Sequence, residues 1–127
     1  MSYEIDTLDI SLKAAADLSA YQYCFVKVTA DNTVNVCGDG EQAIGILQNK
    51  PSAANQAARV RVMGASRIVG GETLAFGNKV GSGALGVGTV KTADKAYYNG
   101  IVIEGTGTWS AAEVGTVLLV GVNMIAG

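Results

Sequence analysis

Short apolar runs, each broken by glycine, asparagine or aspartate within a few residues, recur along the whole of this 127-residue chain. They fall at residues 8–12, 25–29, 33–36, 43–47, 59–63, 67–69, 85–90, 100–104 and 114–120. The breaks are Asp31-Asn32, Gly38-Asp39-Gly40, Gly70-Gly71, Gly77-Asn78 and Asn99-Gly100. No window of a dozen residues carries a sustained helical stripe, and strand-length runs at this spacing predict an all-β fold: a small antiparallel β-barrel or β-sandwich. Residues 13–18, and 52–58 after the single proline, Pro51, are expected to make no more than short helical turns.

One hairpin can be read in register. With residues 30–32 as the loop, Thr29 faces Thr33, Val28 lies opposite Val34, and Val26 opposite Val36, so four valines share one face. A slip by one residue would set valine against polar partners. The same register puts Cys37 opposite Phe25 and Cys24 on the valine face. Side chains on opposite faces cannot meet disulfide geometry, so two free, at least partly buried thiols are expected, consistent with a reducing compartment.

The first sixteen residues differ from the rest, with Glu4, Asp6 and Asp9 against Lys13 and one apolar stripe. They read as an extended N-terminal arm, residues 1–16, ahead of a single β-rich domain, residues 17–127, and as able to add an edge strand to a partner sheet. Tyr3, Ile5, Leu8, Ile10 and Leu12 are its expected contact residues.

Composition narrows the function. Charged residues make up 16% of the chain, against about 25% in ordinary domains, while apolar residues make up 49%. A small monomer has much surface to keep wet, so part of the apolar surface is expected to be covered by other chains. Val117, Leu118, Leu119 and Val120 are apolar on both faces, which suits a central strand or one covered by a neighbouring subunit; Trp109, the lone tryptophan, is a candidate for the same interface. The net charge of −2 disfavours general nucleic-acid binding. Arg59, Arg61 and Arg67 read as a solvated face or as ion-pair partners. No run approaches membrane-span length, and the acidic start is unlike a cleaved secretory signal.

The chain contains no histidine, which removes the commonest general base, metal ligand and proton switch together. Two cysteines without histidine do not make a zinc site. Gly81-Ser82-Gly83-Ala84-Leu85-Gly86 matches G-x-G-x-x-G, but strand-forming residues follow where a dinucleotide site needs a helix N-terminus. These glycines imply a loop with unusual dihedrals or a strand that another backbone approaches closely. Asp39 and Glu41 flank ordinary turn residues and lack a calcium-loop pattern. No catalytic residue, cofactor or metal is expected, and the chain reads as a non-enzyme. Trp109 with Tyr97 and Tyr98 leaves a carbohydrate-binding β-sandwich as a rival reading.

A family resemblance rests on an ordered set of pieces: Asp17-Leu18-Ser19-Ala20, Tyr23, Phe25-Val26-Lys27-Val28, and Ile44-Gly45-Ile46-Leu47-Gln48-Asn49-Lys50-Pro51 after a glycine turn. Alternating Ala58, Val60 and Val62 before Gly64, then Gly71, Leu74, Gly77 and Val80, then Gly100-Ile101 and Glu104, and finally Glu113-Val114 and Val117-Leu118-Leu119, continue it. This order resembles the small capsid decoration, or cement, proteins of tailed bacteriophages, over about residues 17–120. The resemblance implies a β-tulip-like barrel and homotrimers on the outer capsid surface that contact the major capsid protein and stabilise the head. It implies a virion component made in the host bacterial cytoplasm, and brings no catalytic residues. Another virion part, such as a tail-tube, fibre or baseplate module, is the alternative.

Overall fold

A computed structural model describes residues 7–105 and 114–125. The described chain is all-β. Its nine strands are β1 (Leu8–Ala14), β2 (Phe25–Ala30), β3 (Thr33–Val36), β4 (Gly45–Leu47), β5 (Ala57–Val69), β6 (Lys79–Ser82), β7 (Gly88–Val90), β8 (Tyr97–Glu104) and β9 (Val114–Met124). They form one sheet in the order β1-β3-β2-β4-β5-β9-β8-β6-β7, and a further β1–β5 pairing closes the first five into a barrel. All ladders are antiparallel except β1–β3. The remaining strands continue from the far half of β5, and a parallel bridge from Gly70 to Gly88 holds the outer edge of β7.

Two apolar cores share one wall. Inside the barrel lie Ala14, Leu18, Val26, Val34, Leu47, Ala58 and Val60. Between the barrel and the β5-β9-β8-β6 sheet lie Phe25, Ile46, Ile68, Val80, Val102, Val117 and Leu119, among others. In β2 and β4 successive residues point to opposite faces: Phe25 and Ile46 enter the second core, Val26 and Leu47 the first. That double burial explains why these strands read as continuous apolar runs rather than alternating ones.

The hairpin keeps the expected pairs Val26–Val36 and Val28–Val34. Its tip differs: Ala30, not Thr29, pairs with Thr33, with a shift after Val28. Asn32 takes a left-handed backbone (φ 53°), which asparagine tolerates, and this closes the turn in two residues rather than three. Val28 is exposed there, beyond the reach of the core. Both cysteines are free and buried.

Several boundaries move. Runs 59–63 and 67–69 are one strand, β5, which passes through Gly64 at φ +95°. Asn99-Gly100 is not a turn but part of β8; Asn99 sits at an irregular step of the ladder, is buried, and its Nδ2 donates to the Ala43 carbonyl at 2.7 Å. Residues 13–18 and 52–58 form no helix. The single short helical turn among the described residues is a 3-10 turn at Ala84–Gly86, between β6 and β7.

The largest difference concerns residues 8–14. Expected in a loosely held arm, they form β1, paired with β5 from Leu8 to Lys13 and with β3 at Lys13 and Ala14. Ala14 is fully buried, and Asp9 is ion-paired to Arg61. The cause is closure: without β1 the β3 and β5 flanks of the barrel would be open edges.

Candidate interaction surface

The surface is best followed along β5. On the barrel half its outward residues are Arg59 and Arg61, and Asp9 of β1 lies against both. Arg61 grips Asp9 with two hydrogen bonds, Nε to Oδ1 at 2.7 Å and a terminal nitrogen to Oδ2 at 3.1 Å. It also donates to the Ala65 carbonyl at 3.0 Å. Arg59 approaches Asp9 at 3.4 Å. The Arg61 hydrogen bonds hold the Asp9 carboxyl below the ordinary carboxylate range against the opposing effect of partial burial, and the two guanidinium charges add to them. Arg59 and Arg61 are thus paired, and with the acidic segment of their own chain, while Arg67 is not part of this cluster.

Past Gly64 the outward face changes character. Ala65 of β5, Leu118 of β9 and Ile101 of β8 are register partners in one row; Met63 and Val120 form the row beside it, and Val69 and Val114 the end row. Met63, Leu118, Val114 and Ile103 are exposed by 39–49%. Between these rows runs one polar row, Arg67–Thr116–Glu104. The Thr116 hydroxyl donates to Glu104 at 3.4 Å, and the Arg67 guanidinium lies 5.9 Å from the centre of the Tyr23 ring.

The expected contact residues divide accordingly. Val117 and Leu119 are buried in the chain's own second core, while Leu118 and Val120 face outward. The strand is central, between β5 and β8, so its continuous apolar run serves the core with alternate residues and the surface with the others. Leu8 and Ile10 are exposed on β1, and Leu12 is half-buried against the barrel core. Tyr3, Ile5 and Trp109 lie outside the described residues. Met63, Ala65, Ile101, Ile103 and Val114 did not emerge from the sequence as surface residues. The signal was present in the two-faced apolarity of 117–120, which requires neighbouring strands with matching outward side chains.

Elsewhere the surface offers little chemistry. Tyr97 and Tyr98 are half-buried and consecutive in β8, so they point to opposite faces and cannot form one flat sugar platform. Lys79 lies 5.3 Å from the centre of the Tyr98 ring. The G-x-G-x-x-G segment is a hairpin: β6, the 3-10 turn and β7. Burial pushes the Cys24 thiol up to about 11, which leaves it protonated at neutral pH and a poor nucleophile. Asp39 lies by Lys91 at 3.4 Å and Glu41 bonds Lys27 at 2.6 Å. No group of three or more metal-ligating side chains occurs among the described residues, and no described helix is long and apolar enough to cross a membrane.

The fold and this surface define an all-β scaffold that presents an apolar sheet face. No protein-family model and no curated protein matches the chain by sequence. Among solved structures it is similar to the head fiber gp8.5 N base of bacteriophage phi29, with a TM-score of 0.65 at 12% identity, over 91% of this chain and 95% of that one. At that identity the likeness is one of fold.

Proposed function

We propose that this chain is a non-enzymatic structural component of a bacteriophage virion, bound to the outer surface of the head. In this reading it sits there as trimers, contacts the major capsid protein and stabilises the shell. The observation that carries the reading is the near end-to-end match with a phage head fiber base, which accounts for almost the whole of both chains. The ordered sequence pieces that resemble capsid decoration proteins point the same way, as does an apolar outward face on a chain that is only 16% charged. Many weak contacts on a repeating lattice add to strong attachment.

A second reading is favoured by the same neighbour: the chain is the base of a projecting head fibre rather than a cement protein. The two share attachment to the shell and differ in what the chain carries.

Co-sedimentation with undecorated, expanded heads of the phage that encodes it tests both. Saturation at one copy per capsid subunit, or at a regular three-fold-related fraction, is expected for a cement protein. Saturation at a sparse subset of positions would favour the fibre base, and no binding to intact heads would defeat both. Deletion of residues 2–6, which removes Tyr3 and Ile5 and leaves β1 whole, is expected to weaken head binding without unfolding the barrel. Unchanged occupancy would remove the arm from the interface. Deletion through residue 12 does not test this, because it takes away a barrel strand.

A further inference from the structure

The outward face centred on Leu118 is apolar at its middle and charged at its margins: Arg67 and the Arg61 guanidinium on the β5 side, Glu104 and, beyond Ile101, Lys79 on the β8 side. Ala65, Leu118 and Ile101 cross it on three adjacent strands. In the neighbouring polar row Arg67 lies on the β5 flank and Glu104 on the β8 flank. Two strand spacings separate these backbones, about 10 Å, with Thr116 between them.

We propose that this face binds a second copy of the chain, the β5 flank of one copy against the β8 flank of the next. A pleated sheet face is filled best by another sheet face about 10 Å away, with side chains interdigitating. A copy rotated about an axis parallel to the strands presents its β8 flank to the first copy's β5 flank. Glu104 then meets Arg67, while Leu118, Ala65 and Ile101 stay enclosed between the copies. Among the described residues Arg67 leans on the Tyr23 ring and Glu104 takes a long hydrogen bond from Thr116, which leaves both able to take a charged partner. In the polar row this rotation sets opposite charges against each other, Arg67 of each copy on Glu104 of the other. The low charge content of the whole chain points the same way, to apolar surface covered in an assembly.

Sedimentation equilibrium of the full chain without heads tests this. The wild type is expected to associate reversibly. Leu118→Glu should raise the dissociation constant roughly 30-fold or more, because it places a charge at the centre of the desolvated face. Val28→Glu, at the exposed hairpin tip of the barrel, should leave association unchanged. Arg67→Glu and Glu104→Arg should each weaken association about tenfold, and the double reversal should restore it. Circular dichroism on every variant reports folding, and the surface charge reversals carry the test should Leu118→Glu fail to fold. A monomeric wild type, an unchanged Leu118→Glu, or a double reversal no better than the single ones would overturn the proposal. A monomer whose Leu118→Glu variant no longer binds heads would assign the face to the shell instead. Self-association is read without heads, so its failure leaves head attachment standing, and the reverse holds too.

Discussion

The barrel and the sheet beyond it are built from the same strand, β5, and differ in what they leave outside. On the barrel half, β1 and β5 turn Asp9, Ser11, Lys13, Arg59 and Arg61 away from the core, and the charged ones largely pair with each other. From Met63 onward the outward residues include Met63 itself, Ala65, Leu118 and Ile101, and among the described residues this stretch of β5 makes no ion pair. The barrel is complete in its own chain: five strands close on themselves and their apolar residues fill the interior. The second half buries only one face of β9. A single strand thus serves as structural support at one end and as a presenting surface at the other, with a glycine of positive φ at the change.

The shared wall decides whether these halves are separable. Phe25 and Leu47 are both fully buried, one in each core, on strands paired to each other. Phe25→Ala is expected to cost about 3–5 kcal/mol and Leu47→Ala about 2–5 kcal/mol. Because β2 and β4 line both cores, each variant should unfold in one transition by thermal circular dichroism. Native-state hydrogen exchange should show β8 and β9 losing protection together with β2 and β3. Protection that persists in β8 and β9 of Leu47→Ala would mean that the halves fold separately.

A smaller effect is expected where the β6–β7 hairpin docks on that wall. Gly86 has φ +76°, and a Cβ there would come within 2.5 Å of the Phe25 carbonyl oxygen. Gly40 has nearly the same backbone, φ +73°, with open space around it. Gly86→Ala should therefore cost roughly 2–4 kcal/mol, the left-handed penalty plus a backbone clash. Gly40→Ala should cost only about 1 kcal/mol. Equal melting temperatures for the two variants would show that the hairpin yields rather than resists.

Much of this was legible in the residues because local patterning and tertiary fold agree. The β2–β3 register followed from four valines, and the fate of both cysteines followed from that register. The failures share a cause. The end of β1, the single strand through Gly64 and the inclusion of Asn99 in β8 all depend on a distant partner: β3, β9 and the Ala43 carbonyl respectively. A glycine or asparagine read locally is a break, while a ladder on either side can carry a strand through it as a bulge. The interaction face was half visible for the same reason. Leu118 stood out within an apolar run, but Met63, Ala65 and Ile101 join it only once the ladders are known.

The gentlest test concerns the charged barrel rim. The Asp9 carboxyl is held below its ordinary range in the folded chain, chiefly by the Arg61 hydrogen bonds, whereas in the unfolded chain it returns to about 3.9. A carboxyl of this kind adds stability that is fully present above the unfolded value and disappears as pH falls through the lower folded one. Asp9→Asn keeps the size of the side chain and removes the charge, so it should lower stability at neutral pH by no more than about 1 kcal/mol, since the pair is partly open to water. The gap between wild type and variant should be constant above about pH 5 and narrow below pH 4, as protonation removes the same charge from the wild type. Added salt should shrink it at neutral pH. If urea titrations give one gap from pH 3 to pH 7, the rim of the barrel is held by strand pairing alone. The contrast between a charge-locked half and an apolar presenting half would then rest on β9 and its neighbours.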